Sequence, residues 1–233
     1  MAGEGKPQSS DERSVLRWGG IAGILSGIVF LLVPVVLFGF VPAAPADPAG
    51  LVARFPQVRT AIAVGNFLNF VSDAFLVALL LGLYRALRAT SPAPAFFGTV
   101  LGVLGLGVLF IETATQIAFD PISDLYHAPG ATPAEQATLA LLWQATQGIF
   151  YEFDTAAILL LSTSVVVLGV AMLRAPAFGR GLGGLTLALG AVAFVGGFIF
   201  GITSLFAALF VIPVFVVLPI LLGWNVYKLS KSG

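Results

Sequence analysis

Three carboxylates lie inside long apolar runs of this chain: Asp73, Glu112 and Asp154. An ionised carboxylate at membrane depth is costly unless it meets a proton, a cation or a polar cavity, so such residues mark ion paths, ligand sites or polar contacts between helices. Their polar neighbours recur at helical spacing. Asn66, Asn69 and Asp73 stand at i, i+3 and i+7, which places them on one helix face. Glu112 has Gln116 and Asp120 at i+4 and i+8. Gln136, Trp143, Gln147 and Asp154 follow at intervals of 7, 4 and 7. At about 100° per residue these four fall within an arc of roughly 40°, with Tyr151 at its edge, while Glu152 lies about 160° from Asp154 and faces elsewhere.

Cations to pair with these acids are scarce. Between Ala89 and Leu173 there are six acids (Glu112, Asp120, Asp124, Glu135, Glu152 and Asp154) and no lysine or arginine. Arg59 is the only plausible partner for Asp73, one helix end away by roughly 21 Å of rise. Two readings follow. The acids stay protonated and hydrogen-bond across helices as structural glue, or they line a wet, externally open cavity that holds a cation or a proton. Three such acids with amide and hydroxyl neighbours towards the same side favour the cavity.

The elements that must position them are membrane helices. Of 233 residues, 58% are hydrophobic and 9% charged, with mean hydropathy +1.03; a soluble domain carries about 25% charged residues. Apolar runs near the length needed to cross hydrocarbon, about 20 residues, occur at about 15–41, 60–87, 95–119, 148–173, 182–200 and 205–227. The expected fold is thus all-α, a six-helix transmembrane bundle filling residues 15–228, with tails at 1–14 and 229–233. Thr132-Pro133-Ala134-Glu135 reads as a capped helix start, and no breaker follows until Pro176. About 40 residues of helix would span roughly 60 Å, twice the hydrocarbon thickness. The fourth helix is therefore expected to project outwards over about 133–147 or to bend near Gly148. Leu51 to Phe55 is expected as a short interfacial turn, and Asp120 to Pro133 as a loop. Pro34, Pro213 and Pro219 are expected to bend the first and sixth helices.

Orientation follows from the basic residues. With six spans, nine of the eleven Lys/Arg fall on one side, and only Arg54 and Arg59 fall opposite. The positive-inside bias then puts both termini in the cytoplasm, in the cytoplasmic membrane. Trp18, Tyr84, Trp224 and Tyr227 fall at the inner ends of spans, and Tyr126, Trp143 and Tyr151 towards the outside, as interfacial aromatics do. Ala44-Pro45-Ala46 resembles a leader-peptidase site, but the apolar run before it exceeds a signal h-region, so a retained span is expected. Small-residue rows (Gly19, Gly23 and Gly27; Gly98 and Gly102; Gly197 and Gly201) let helices approach closely. Packing within one bundle is favoured over a dimer face.

Other chemistries are unsupported. The absence of cysteine removes thiol catalysis, disulfides and Cys-metal sites, and the single histidine, His127, falls in a loop. No histidine or lysine base lies at membrane depth for serine hydrolysis or a Schiff base. Asp73 and Asp154 lack the glycine-rich surroundings of an aspartate protease. No phosphate loop precedes a lysine, and balanced charge gives no field for nucleic acid. No cofactor, metal site or catalytic residue is assigned.

Arg17-Trp18-Gly19-Gly20-Ile21-Ala22-Gly23-Ile24, Leu83-Tyr84-Arg85-Ala86-Leu87, Phe110-Ile111-Glu112 and Arg180-Gly181-Leu182-Gly183-Gly184 follow in an order that resembles a widespread prokaryotic family of six-helix integral membrane proteins of unknown function. The resemblance spans most of the chain and implies the fold alone. This chain lacks the basic residue expected shortly before Glu112 in that family.

The expected function is a small permease-like or ligand-binding protein. Its externally open acidic pocket binds a proton or small cation through Asp73, Glu112 and Asp154, with Asn66, Asn69, Gln116, Gln147 and Tyr151 around them. The alternative is a non-catalytic interaction or accessory protein whose acids are protonated glue, in contact with a homo-oligomer partner or another subunit in the bilayer.

Overall fold

The computed structural model describes residues 10–200 and 212–232. The described chain is all-helical: α1 (Ser10–Phe40), α2 (Pro48–Leu87), α3 (Pro92–Thr115), a single 3-10 turn (Gln116–Ala118), α4 (Phe119–Tyr126), α5 (Pro133–Leu173), α6 (Gly179–Phe200), a π-helical stretch (Pro213–Val217) and α7 (Leu218–Leu229). Five helical stretches are long and apolar enough to cross a membrane, and Pro213–Leu229 is a shorter apolar sixth. Of the run expected at 205–227, residues 205–211 lie outside the described residues, as do Gly201 of the small-residue row, residues 1–9 of the first tail and Gly233 of the last.

Several boundaries differ from the sequence reading, each for a local reason. Ser10 already begins α1, so the helix enters the expected tail. Leu51 to Phe55 is no separate turn but the start of a 40-residue helix. Asp47 begins it by accepting a hydrogen bond from Gly50 N at 2.7 Å, with Pro48 in the first turn. Within the expected loop 120–133, Phe119–Tyr126 is helical and continues α3 through the 3-10 turn, one helical stretch from Pro92 to Tyr126. The tightened turn lies just before Pro121, which has no N–H to give to a regular ladder. α5 runs unbroken for 41 residues through Gly148. It opens with a capping box in which Thr132 Oγ1 accepts from Glu135 N and Glu135 accepts from Thr132 N, each satisfying an orphan donor.

Neighbouring long helices pack antiparallel. α1 lies along α2 and α7, α5 lies along α3 and α6, and α2 joins the groups through α3 and α5. Close approach depends on absent side chains: a Cβ on Gly223 would sit 2.6 Å from Gly20 O and 2.8 Å from Ile24 N. Buried hydroxyls hold the pairs in register. Ser26 and Ser72 meet at 3.1 Å between α1 and α2, and Ser164 Oγ donates to Gly98 O at 2.6 Å between α5 and α3. The outer faces are apolar, with Phe38, Phe67, Phe97 and Phe198 exposed. A surface of that kind suits hydrocarbon rather than water, and the protein is membrane-embedded in character.

The two ends of the bundle differ. At the end where α1 begins and α7 finishes, Glu12 pairs with Arg85 and, at 3.3 Å, with Arg88, while Trp18 and Trp224 are exposed. At the far end, the first turns of α2 and α5 and all of α4 build a second small core of Val52, Phe55, Val58, Phe119, Ile122 and Trp143. Trp143, expected at an interface, packs edge-on to Phe55 with ring centroids 5.0 Å apart. His127 does more than face solvent: its Nδ1 lies 2.8 Å from Ser123 O and its Nε2 3.2 Å from Ala53 O, which ties α4 to α2.

Candidate functional site

The stripes on α2, α3 and α5 converge. Asp73, Glu112 and Asp154 line one cavity of about 390 Å³, together with Asn66, Asn69 and Gln116. Each side chain arrives there by helix phase. Asn66, Asn69 and Asp73 stack along one face of α2. Glu112 occupies the last full turn of α3, and Gln116 follows where the helix tightens into its 3-10 turn. Asp154 stands midway along α5, one side of which is packed by α3. Asp73 is 4% exposed and Glu112 8% exposed, so both side chains are buried in the bundle and what surface they retain faces the cavity.

Polar partners are few. Asn66 Nδ2 donates to Gln116 Oε1 at 2.7 Å, and the Gln116 amide faces the Glu112 carboxyl. Asp154 is near enough to Asp73 and Glu112 to act on both as a like charge. Among the described residues, Asp73 and Asp154 have no hydrogen-bond donor or cation at their carboxylates, and Asn69 Oδ1 is buried without a partner. Arg59 does not supply the missing charge. It turns to the far end and pairs with Asp120 at 2.8 Å and Asp124 at 3.1 Å. This is the local choice, because Arg59 sits near the start of α2, level with α4.

Gln147 and Tyr151 do not line this cavity; Gln147 Nε2 donates to Tyr151 Oη at 2.8 Å within α5. Gln136 Nε2 donates to Tyr126 O at 3.2 Å. The α5 stripe therefore divides its work between the far-end cap and the cavity, and only Asp154 reaches the latter. Glu152 is exposed.

Residues with no polar signature complete the walls. Phe30 of α1 and Phe215 of the π-helical stretch line the cavity and stack on one another with centroids 5.1 Å apart and planes 20° apart. Phe150 of α5 joins them. Nothing in a run of apolar residues marks which phenylalanine will face inwards. The one available signal was Pro213, whose missing N–H favours the irregular turn that carries Phe215.

A second cavity of about 580 Å³ lies between α2 and α3 on the far-end side, bordered by Arg59, Asp120, Phe70 and Phe110. It shares Ile62, Asn66, Thr113 and Gln116 with the acidic cavity. The Asn66–Gln116 hydrogen bond therefore lies in the partition between the two.

No family model matches this chain, and no curated protein or solved structure matches it. What the protein does has to be read from the chemistry of the cavity.

Proposed function

We propose that the chain is a six-span protein of the cytoplasmic membrane with both termini in the cytoplasm. Its acidic cavity, approached from the external side, is the ligand site of a small permease-like or ligand-binding protein. Asp73, Glu112 and Asp154 hold a proton or a cation there, and Asn66, Asn69 and Gln116 orient it. The reading gives no catalytic role to any residue. Kinship with the six-helix family of unknown function belongs to the proposal and bears on the fold alone.

The observation that carries this reading is convergence. Carboxylates used as glue would each be capped by a neighbouring helix, whereas Asp73 and Asp154 share one cavity with no donor from the described residues. Cytoplasmic termini are supported by the basic residues at the end carrying them: Arg13, Arg17, Arg85, Arg88, Arg174, Arg180, Lys228 and Lys231. The Arg59 cluster at the other end is offset by Asp120 and Asp124. The Gln116 contact with Glu112 favours the alternative for that one residue, as part of a non-catalytic interaction protein held together by protonated acids.

Thermal unfolding of the detergent-purified protein across a panel of cations, wild type against Asp154→Asn, separates the two. A ligand at 100 times its dissociation constant stabilises by about 2.7 kcal/mol, well within the resolution of a melting curve. The expected result is a cation-selective rise in Tm that the variant loses. A flat response in both proteins, at equal stability, would mean that the acids are glue.

A further inference from the structure

We propose that the occupant of the acidic cavity is a small organic ammonium ion carrying N–H donors, such as a short primary amine, rather than a metal ion. The inference rests on the ligand-site reading above and narrows it. Size is the first argument. A cavity of about 390 Å³ falls in the range of small-molecule pockets and would take on the order of ten waters, far more room than one bare ion fills. Geometry is the second: among the described residues no three acidic or histidine side chains come close enough to share one metal ion.

The walls supply the rest. The lining is acceptor-rich, with Asp73 at 4% exposure and no partner among the described residues, Asp154, and the orphaned Asn69 Oδ1. Acceptors without donors call for a ligand that brings several N–H groups as well as positive charge. The lining is also aromatic and aliphatic, from Phe30, Phe150 and Phe215. An inorganic cation makes no use of such a wall. The carbon skeleton of an amine does, and a ring face attracts the ammonium besides. Phe215 is brought to this wall by the π-helical stretch Pro213–Val217, a distortion that recurs at functional sites.

Isothermal titration of the detergent-purified protein with n-butylammonium, tetramethylammonium, 1-butanol and sodium chloride tests this. The expected result is that n-butylammonium binds at least tenfold more tightly than 1-butanol, which lacks the charge, and tetramethylammonium, which lacks the donors. Asp73→Asn is expected to weaken it by at least tenfold. Should Asp73→Asn fold poorly, Asp154→Asn, on a different helix, carries the same expectation. Equal affinity for tetramethylammonium overturns the donor argument. Asp73-dependent binding of sodium without n-butylammonium overturns the amine while leaving a cation site standing. Binding by none of the four overturns the amine and leaves the ligand-site reading to the cation panel of the melting test. An n-butylammonium affinity unchanged in both variants places the amine elsewhere and overturns this assignment.

Discussion

Gly223→Leu is expected to unfold this protein or to lower its stability by about 3 kcal/mol or more, at or beyond the upper end of the usual overpacking penalty. The obstruction is backbone. A first side-chain carbon at position 223 would lie 2.6 Å from Gly20 O, 2.8 Å from Ile24 N and 3.0 Å from the Gly23 carbonyl carbon. No rotamer moves those atoms, so α1 and α7 must separate along their length. The matching control is Gly39→Leu near the end of α1, where an added carbon meets nothing within 4 Å. Melting curves in detergent should show a large loss for the first and little change for the second. Because Phe30 on α1 and Phe215 just before α7 stack in the cavity wall, the loss should extend to the cation response. A Gly223→Leu protein as stable as wild type would mean that α1 and α7 do not pack as described.

The second large effect is expected at Asp73, and it has two parts of opposite sign. Without ligand, Asp73→Asn should leave stability unchanged or raise it, because burying a carboxylate with no donor or cation costs more than burying a neutral amide of the same shape. With saturating ligand, the variant should lose the stabilisation of about 2.7 kcal/mol available at 100 times the dissociation constant. Sites that trade stability for function show this pattern. A protonated Asp73 bonded to a neighbouring helix predicts the reverse, a destabilised variant and no ligand response in either protein. Paired melting curves with and without a cation decide between them.

Much of this architecture was legible because the bilayer imposes a simple rule: long apolar runs become helices, and turn residues separate them. Thr132 and Glu135 mark the start of α5 by a local reciprocal hydrogen bond that needs no tertiary context. The helix phase of Asn66, Asn69 and Asp73 could likewise be read directly, since polar residues stand out against an apolar background. What could not be read depended on contacts between segments. Trp143 shares a stripe with Gln147 and Asp154, yet packs against Phe55 and Phe119, because α2 and α4 meet α5 at that level. Phe30 and Phe215 carry no contrast in sequence: a helix that is apolar all round gives no sign of which side faces protein and which faces lipid. Arg59, read as the plausible partner of Asp73, stands roughly 21 Å of helix rise from it; Asp120 and Asp124 lie beside it and hold it.

The central claim is that Asp73, Glu112 and Asp154 serve one water-filled cavity approached from outside the cell. The chain has no cysteine, so single cysteines report without background. The most direct measurement is the reaction of Asp73→Cys, Glu112→Cys and Asp154→Cys in intact cells with 2-(trimethylammonium)ethyl methanethiosulfonate, a cationic thiol reagent that does not cross membranes. All three are expected to react, and in paired variants modification of one site should block the next. Leu106→Cys, at a fully buried position, and Ser232→Cys, at the end carrying the termini, should not react. Three acid-site cysteines as inert as Leu106→Cys, or modified independently of one another, would contradict the account.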